Sequence, residues 1–264
     1  MKLLSVISAV LMLICTPLRA DSVGDVQVRN ADLPDYRVLH EKTYDATKPM
    51  MWLFLGDSIT HGCLHTHGGR SYPEHWMEIV KWEIMREKQT QRTNDLVINA
   101  GVSSETAHGF LNHMEWRLNQ FSPDVVFINF GINDGDRFGD TEQFRADLTR
   151  IVRQVRAKNA IPVLQTNSLT LRAKPFRPHF NAVIREVAAA ENTLLVDHAA
   201  AWEEAAGKPG ASAGSKRESV PAPRHLMNND LHPNAAGHLF MAQTIARSLN
   251  LIPVNTPTLQ RPVK

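Results

Sequence analysis

Short apolar runs alternate along this chain with longer stretches of mixed polarity. Met51–Leu55 stops at Gly56-Asp57-Ser58, and Leu96–Ile98 stops at Asn99-Ala100-Gly101. Val125–Ile128 stops at Gly131-Ile132-Asn133-Asp134-Gly135. Ile161–Leu164 runs into Gln165-Thr166-Asn167-Ser168, and Thr193–Val196 into Asp197. None of these runs alternates with period two, as expected of parallel strands covered on both faces. The segments between them, Tyr72–Lys88, Glu105–Asn119, Thr141–Asn159, Pro178–Glu191 and Pro233–Leu249, carry both polar and apolar residues and read as helices. In Thr141–Asn159, Phe144, Leu148, Ile151, Val152 and Val155 form a stripe at three-to-four-residue spacing, which would pack on a sheet. This βαβα rhythm predicts an α/β domain with one open parallel sheet and helices on both sides. The polar clusters close the strands, and functional groups in such sheets collect beyond the strands' carboxyl ends.

Two segments fall outside the rhythm. Asp21–Lys48 reads as an N-terminal arm, either hugging the surface or adding an edge strand. Gly207–Arg224, with three prolines among Gly, Ala and Ser, reads as a loop that either borders a cleft or is a disordered insertion. The chain divides into a leader (1–20), this arm (21–48), the main domain (49–252) and a C-terminal tail (253–264).

Composition narrows the partners. Of 264 residues, 29 are Lys or Arg and 27 are Asp or Glu. Met1–Ala20 opens with Lys2, continues through an apolar stretch from Leu3 to Ile14, and ends at Pro17-Leu18-Arg19-Ala20, the pattern of a secretory signal cleaved near Ala20. The apolar part is short for a membrane anchor. Cys15 could suggest lipidation, but Ile14 precedes it where a small residue is expected. Removing Lys2 and Arg19 leaves 27 basic and 27 acidic residues among the remaining 244, a net charge of zero. That balance argues against nucleic acid or an anionic membrane surface as partner, and no integral span is expected after cleavage. Cys63 would then be the sole cysteine, so no internal disulfide is expected and the fold must rest on its core.

The strand ends carry candidate chemistry. Gly56-Asp57-Ser58-Ile59-Thr60 puts a serine directly after a buried strand, where a neighbouring base could make it a nucleophile; the plainer reading is a helix cap. Gly101 could let its N–H approach a ligand, although glycines often end strands. The Asn133 amide could donate to a developing oxyanion, or Asn133-Asp134-Gly135 could simply turn. In Asp230-Leu231-His232-Pro233-Asn234, Pro233 suits the first turn of the final helix and leaves His232 at its entrance.

Four such motifs in this order, three at strand ends and one before the final helix, closely resemble those of the SGNH hydrolases, also called the GDSL esterase/lipase family, over about Trp52 to Leu249. The resemblance implies a three-layer α/β/α domain with a flavodoxin-like sheet. It makes Ser58 the nucleophile and His232 the general base. The Ser58 and Gly101 N–H groups and the Asn133 side chain would form the oxyanion hole, and no cofactor or metal is required. One position departs: where the family has an aspartate three residues before the histidine, this chain has Asn229, with Asp230 one place late. Asp230 could reach the imidazole through a local shift, a Ser–His dyad could work with Asn229 or a backbone carbonyl, or activity could be lost.

His61, His65, His67 and His75 cluster in sequence, but zinc needs at least three convergent ligands, and a Gly-bounded loop suits a substrate wall better. Arg70 could contact a polar or anionic substrate or form a surface ion pair. The expected protein is therefore an exported serine esterase. Its substrates would be short-chain esters, acetyl among them, of a carbohydrate or other polar alcohol, so its partner is a small-molecule or glycan ester. The alternatives are a pseudo-esterase that only binds such a ligand, and a lipid esterase or acyltransferase using the same site.

Overall fold

The computed structural model describes residues 28–45, 47–62, 66, 68–84, 92–172, 177–207 and 222–252. The leader (1–20), the tail (253–264), Cys63, His65, His67 and most of the Gly207–Arg224 loop lie outside the described residues.

Five parallel strands, β1 (Met51–Gly56), β2 (Leu96–Gly101), β3 (Val125–Asn129), β4 (Ile161–Gln165) and β5 (Leu194–Val196), form one sheet in the order β2-β1-β3-β4-β5. That is a flavodoxin-like order, with the chain reversing its direction of travel between β1 and β3. Each strand sends alternate residues to opposite faces. Trp52, Phe54, Phe127, Val163 and Val196 enter one apolar cluster, and Leu53, Leu55, Val126, Ile128 and Leu164 enter the other. The strands read as unbroken apolar runs because both faces are covered.

The first face is covered by α1 (Pro34–Tyr44), α3 (Tyr72–Glu78) and α9 (Ala235–Ser248), through Leu39, Trp76, Met241 and Ile245. The second is covered by α4 (Ala107–Asn112), α6 (Thr141–Ala157) and α7 (Arg177–Ala190), through Phe110, Leu148, Val155 and Ile184. The stripe anticipated on α6 is buried. Burying one such large apolar side chain stabilises the fold by about 1.5–3 kcal/mol. Three further helices lie among the described residues: α2 (Ser58–His61), α5 (Ile132–Arg137) and α8 (His198–Ala205).

Several local expectations change. Within Asp21–Lys48, residues 34–44 form a helix instead of an edge strand, started by Pro34 in its first turn. The buried Arg92 guanidinium closes that helix, donating to the carbonyls of Lys42, Thr43, Asp45 and Lys48 and pairing with Asp95. β2 is the sheet edge, so Leu96 and Asn99 are exposed. The helix expected at Pro233 starts at Ala235, because Pro233 bridges to Met227 and Asn234 caps the helix by accepting from Gly237 N–H. α3 and α4 are followed by π-helical segments, Ile79–Ile84 and Glu115–Asn119, the second after a break at His113.

Candidate active site

The site gathers at the carboxyl ends of β1, β2 and β3. β1 ends at Gly56, where an added Cβ would collide with the Thr60 side chain and stand 2.7 Å from the Asn129 carbonyl. Asp57 caps α2 by accepting from Ile59 N–H at 2.9 Å, which leaves Ser58 as the first residue of the turn, with 9% of its surface exposed. The cap is therefore Asp57 alone, and the Ser58 hydroxyl points elsewhere: its Oγ lies 2.9 Å from His232 Nε2.

His232 stands on a tight loop before α9. The Asn228 N–H donates to the His232 carbonyl at 2.9 Å, and the Asn234 amide donates to the His225 carbonyl at 2.8 Å. The Asn229 Oδ1 accepts from Leu231 N–H (2.9 Å) and His232 N–H (2.8 Å) and lies 3.2 Å from His232 Nδ1. Backbone N–H groups only donate, so the Asn229 atom facing the imidazole is its oxygen. Nδ1 then carries the hydrogen, and Nε2 presents its lone pair to the Ser58 hydroxyl. Asp230 makes no such contact. Its side chain is exposed, and its backbone carbonyl accepts from Leu171 N–H at 3.0 Å, joining this loop to the one after β4.

The expected oxyanion donors are arranged less simply. Gly101 N–H donates to the Asn99 Oδ1 at 3.0 Å, so it is already occupied. The absence of a side chain at Gly101 serves packing instead, since a Cβ there would run into the Thr60–His61 backbone. Asn99 ties the same two elements together by donating to the carbonyls of Thr60 (2.9 Å) and His61 (3.2 Å). Asn133 lies in the first turn of α5 and donates through Nδ2 to the Glu105 carbonyl (2.9 Å) and to Asp57 Oδ2 (3.2 Å). Between these, in the turn after β2, Ser104 sits at φ 65°, a left-handed conformation unusual for a residue with a side chain.

Two carboxyls under the site are held toward their neutral forms. Burial raises Asp57 to about 7, helped by the nearby Asp134 charge, and burial likewise raises Asp134 to about 6. Asp134 accepts from Ala107 N–H (2.9 Å) and Gly131 N–H (3.0 Å), and so clips α5 to α4. Gly131 has φ 126°, and a Cβ there would stand 2.6 Å from Asn167 Nδ2. A proton on Asp57 lessens the fixed negative charge close to Ser58.

Arg70 lies apart from this network, paired with Glu78, and both side chains are about half exposed. His61 Nδ1 and His75 Nε2 are buried without hydrogen-bond partners. Among the described residues, no three His, Cys, Asp or Glu side chains group as a metal-ligand set.

The comparisons with known proteins follow the same residues. Residues 54–239 match the GDSL-like Lipase/Acylhydrolase family. The chain belongs to that family. It is accordingly a hydrolase of carboxylic esters. One relative, the thioesterase 1/protease 1/lysophospholipase L1 of Escherichia coli K12, is 24% identical over 208 residues, covering 78% of this chain and 86% of its own. Esterase TesA of Pseudomonas aeruginosa is 29% identical over 145 residues, covering 54% and 68%. Among solved structures, the acetylxylan esterase Axe2 of Geobacillus stearothermophilus shares the fold at a TM-score of 0.60 and 21% identity, over 77% of this chain and 96% of that one. The acetyl xylan esterase AlAXEase does so at 0.57 and 20%, over 75% and 99%.

Ser104, Glu105 and Arg117 belong to this site's framework but are not marked by sequence reasoning. The available signal was Arg117, a lone cation between Trp116 and Leu118 in a segment expected to be a helix of mixed polarity. It is fully buried.

Proposed function

We propose that this hydrolase is an exported serine esterase that removes short acyl groups, acetyl first, from a carbohydrate or similar polar alcohol through an acyl-enzyme on Ser58. The observation that carries the reading is the Ser58 Oγ–His232 Nε2 contact of 2.9 Å, backed by Asn229 Oδ1 on Nδ1. Nε2 takes the Ser58 proton as Oγ attacks the carbonyl carbon. The tetrahedral intermediate collapses as the proton passes to the departing alcohol, and water then repeats the sequence to release the acid. The oxyanion would be met by Ser58 N–H and the Asn133 side chain. Gly101 N–H would join them by giving up its Asn99 Oδ1 partner. Asn133 can turn an N–H toward the oxyanion by giving up its longer bond, the one to Asp57.

Export rests on the Met1–Ala20 pattern. The acetyl-sugar preference rests on the fold neighbours that are named as acetylxylan esterases. The name of the Escherichia coli relative supports a second reading, thioester or lysophospholipid substrates. Hydrolysis of p-nitrophenyl acetate should fall at least about 1000-fold in Ser58→Ala, since losing the nucleophile removes the acyl-enzyme route. Equal rates in the two proteins would overturn the assignment. Comparing acetylated xylo-oligosaccharide with palmitoyl-CoA separates the substrate readings, and a higher kcat/KM on the thioester would favour the second.

A further inference from the structure

The carboxyl ends of β1 and β2 meet around one buried cation. Arg117 leaves the π-helical segment Glu115–Asn119 with none of its side chain exposed. Its Nη2 donates to the Gly56 carbonyl (3.0 Å) and the Ala100 carbonyl (2.6 Å), and its Nε donates to Ala100 again (3.1 Å). Its Nη1 donates to Glu105 Oε2 at 2.8 Å. The guanidinium carbon lies 5.1 Å from the Phe110 ring centroid and 5.7 Å from that of Trp116.

Each acceptor belongs to a segment that presents part of the site. Gly56 is two residues before Ser58, and its carbonyl also accepts from Val102 N–H, so it joins β1 to the turn after β2. Ala100 is the last residue but one of β2, just before that turn. Glu105 closes the turn, directly after the left-handed Ser104, and its carbonyl is the shorter partner of Asn133 Nδ2. One planar, permanently charged fork therefore connects the nucleophile's strand, the Ser104 turn and the residue that holds Asn133. A lysine ammonium is a point donor and cannot reproduce that fork.

We infer that Arg117 is a positioning residue for the oxyanion hole: it fixes the Ser104–Glu105 turn, and through Glu105 the Asn133 amide, relative to Ser58. The inference rests on the proposed acyl-enzyme reading of Ser58. Because the Asn133 amide would act on the transition state, displacing it should lower kcat and leave KM nearly unchanged.

The test is steady-state hydrolysis of p-nitrophenyl acetate by the full chain as wild type, Arg117→Lys, Arg117→Met and Ser58→Ala. Leu118→Ala serves as a control that is buried next to Arg117 but lies outside the network. All are assayed well below their melting temperatures, alongside inhibition by methylboronic acid, which forms a tetrahedral adduct on an active serine. Arg117→Met should lose about 100-fold in kcat, the cost of a misplacement near 1 Å, with KM within about twofold. Arg117→Lys should lose less, and the inhibition constant should weaken in step with kcat/KM. Leu118→Ala should keep kcat in its folded fraction. If Arg117→Met does not fold, the same kcat-only loss in Arg117→Lys decides the matter. Unchanged kcat in Arg117→Lys or Arg117→Met, or a loss that Leu118→Ala matches, would overturn the inference while Ser58→Ala remains inactive. An active Ser58→Ala would instead overturn the underlying reading.

Discussion

At the residue scale, the neutral Asn229 occupies a position where a carboxylate would be expected. Replacing the aspartate of a serine protease triad by asparagine costs about 10⁴-fold, because the amide can turn its NH₂ toward the imidazole and select the wrong tautomer. Here the Leu231 and His232 N–H groups hold the Asn229 oxygen on the imidazole side, so that penalty does not arise. What remains missing is a charge to stabilise the imidazolium. Asn229→Asp should accordingly raise kcat about 10-fold, the effect of roughly one pKa unit. The acid limb of its pH–rate profile should move to higher pH, because a carboxylate favours the protonated ring. A gain near 10⁴-fold would mean that the wild-type imidazole is held in the wrong tautomer.

At the element scale, the site depends on how closely the end of β2 passes α2. Gly101 touches the Thr60–His61 backbone, and Asn99 stitches the two together. Gly101→Ala keeps the backbone N–H but adds a methyl group where there is no room. The variant should lose about 1–3 kcal/mol of stability, as overpacked sites do, and its kcat should drop because α2 carries Ser58. Thermal melts and p-nitrophenyl acetate turnover measure the two effects. A fully active, fully stable Gly101→Ala would show that the two elements separate without consequence. Strand positions and strand ends were legible because unbroken apolar runs leave few alternatives, whereas the flavodoxin-like order was expected only through the family resemblance. The π-helical turn that aims Arg117 was not, since its winding depends on the packing partners of Glu115–Asn119.

At the scale of the whole molecule, several titratable groups are sealed inside the fold. His198 is fully buried, its Nε2 lies 2.8 Å from Gln165 Oε1, and burial pushes its pKa from the ordinary 6.5 down to about 3, despite the opposing pull of Asp197. The folded state thus binds fewer protons than the unfolded chain between those values. The contribution of His198 is fully present above about pH 6.5 and is lost as pH falls toward 3. Between pH 6.5 and 4.5, wild type should lose about 2 kcal/mol more than His198→Asn, on the scale of about 1.4 kcal/mol per pH unit per proton. Denaturant melts at the two pH values give that difference, and parallel losses would place a proton on His198 in the folded protein. Asp57 and Asp134 act in the opposite direction. Their raised values favour the folded state at low pH, and that contribution fades as pH rises through about 6 to 7.

The sequence by itself determined the α/β class, the helices' apolar faces and the places where chemistry would gather. Periodicity and strand-ending polar clusters are local properties, and a match over residues 54–239 places the same blocks in the family. The approach of His232 to Ser58 across 174 positions was expected only through the family resemblance. A local turn decided which atom of Asn229 faces His232, because the Leu231 and His232 N–H groups orient its amide; tertiary structure decided that the imidazole so held meets Ser58. It also decided that a buried arginine connects β1 to β2. Those outcomes depend on which carbonyls and donors meet after the sheet has formed, and no spacing along the chain specifies that.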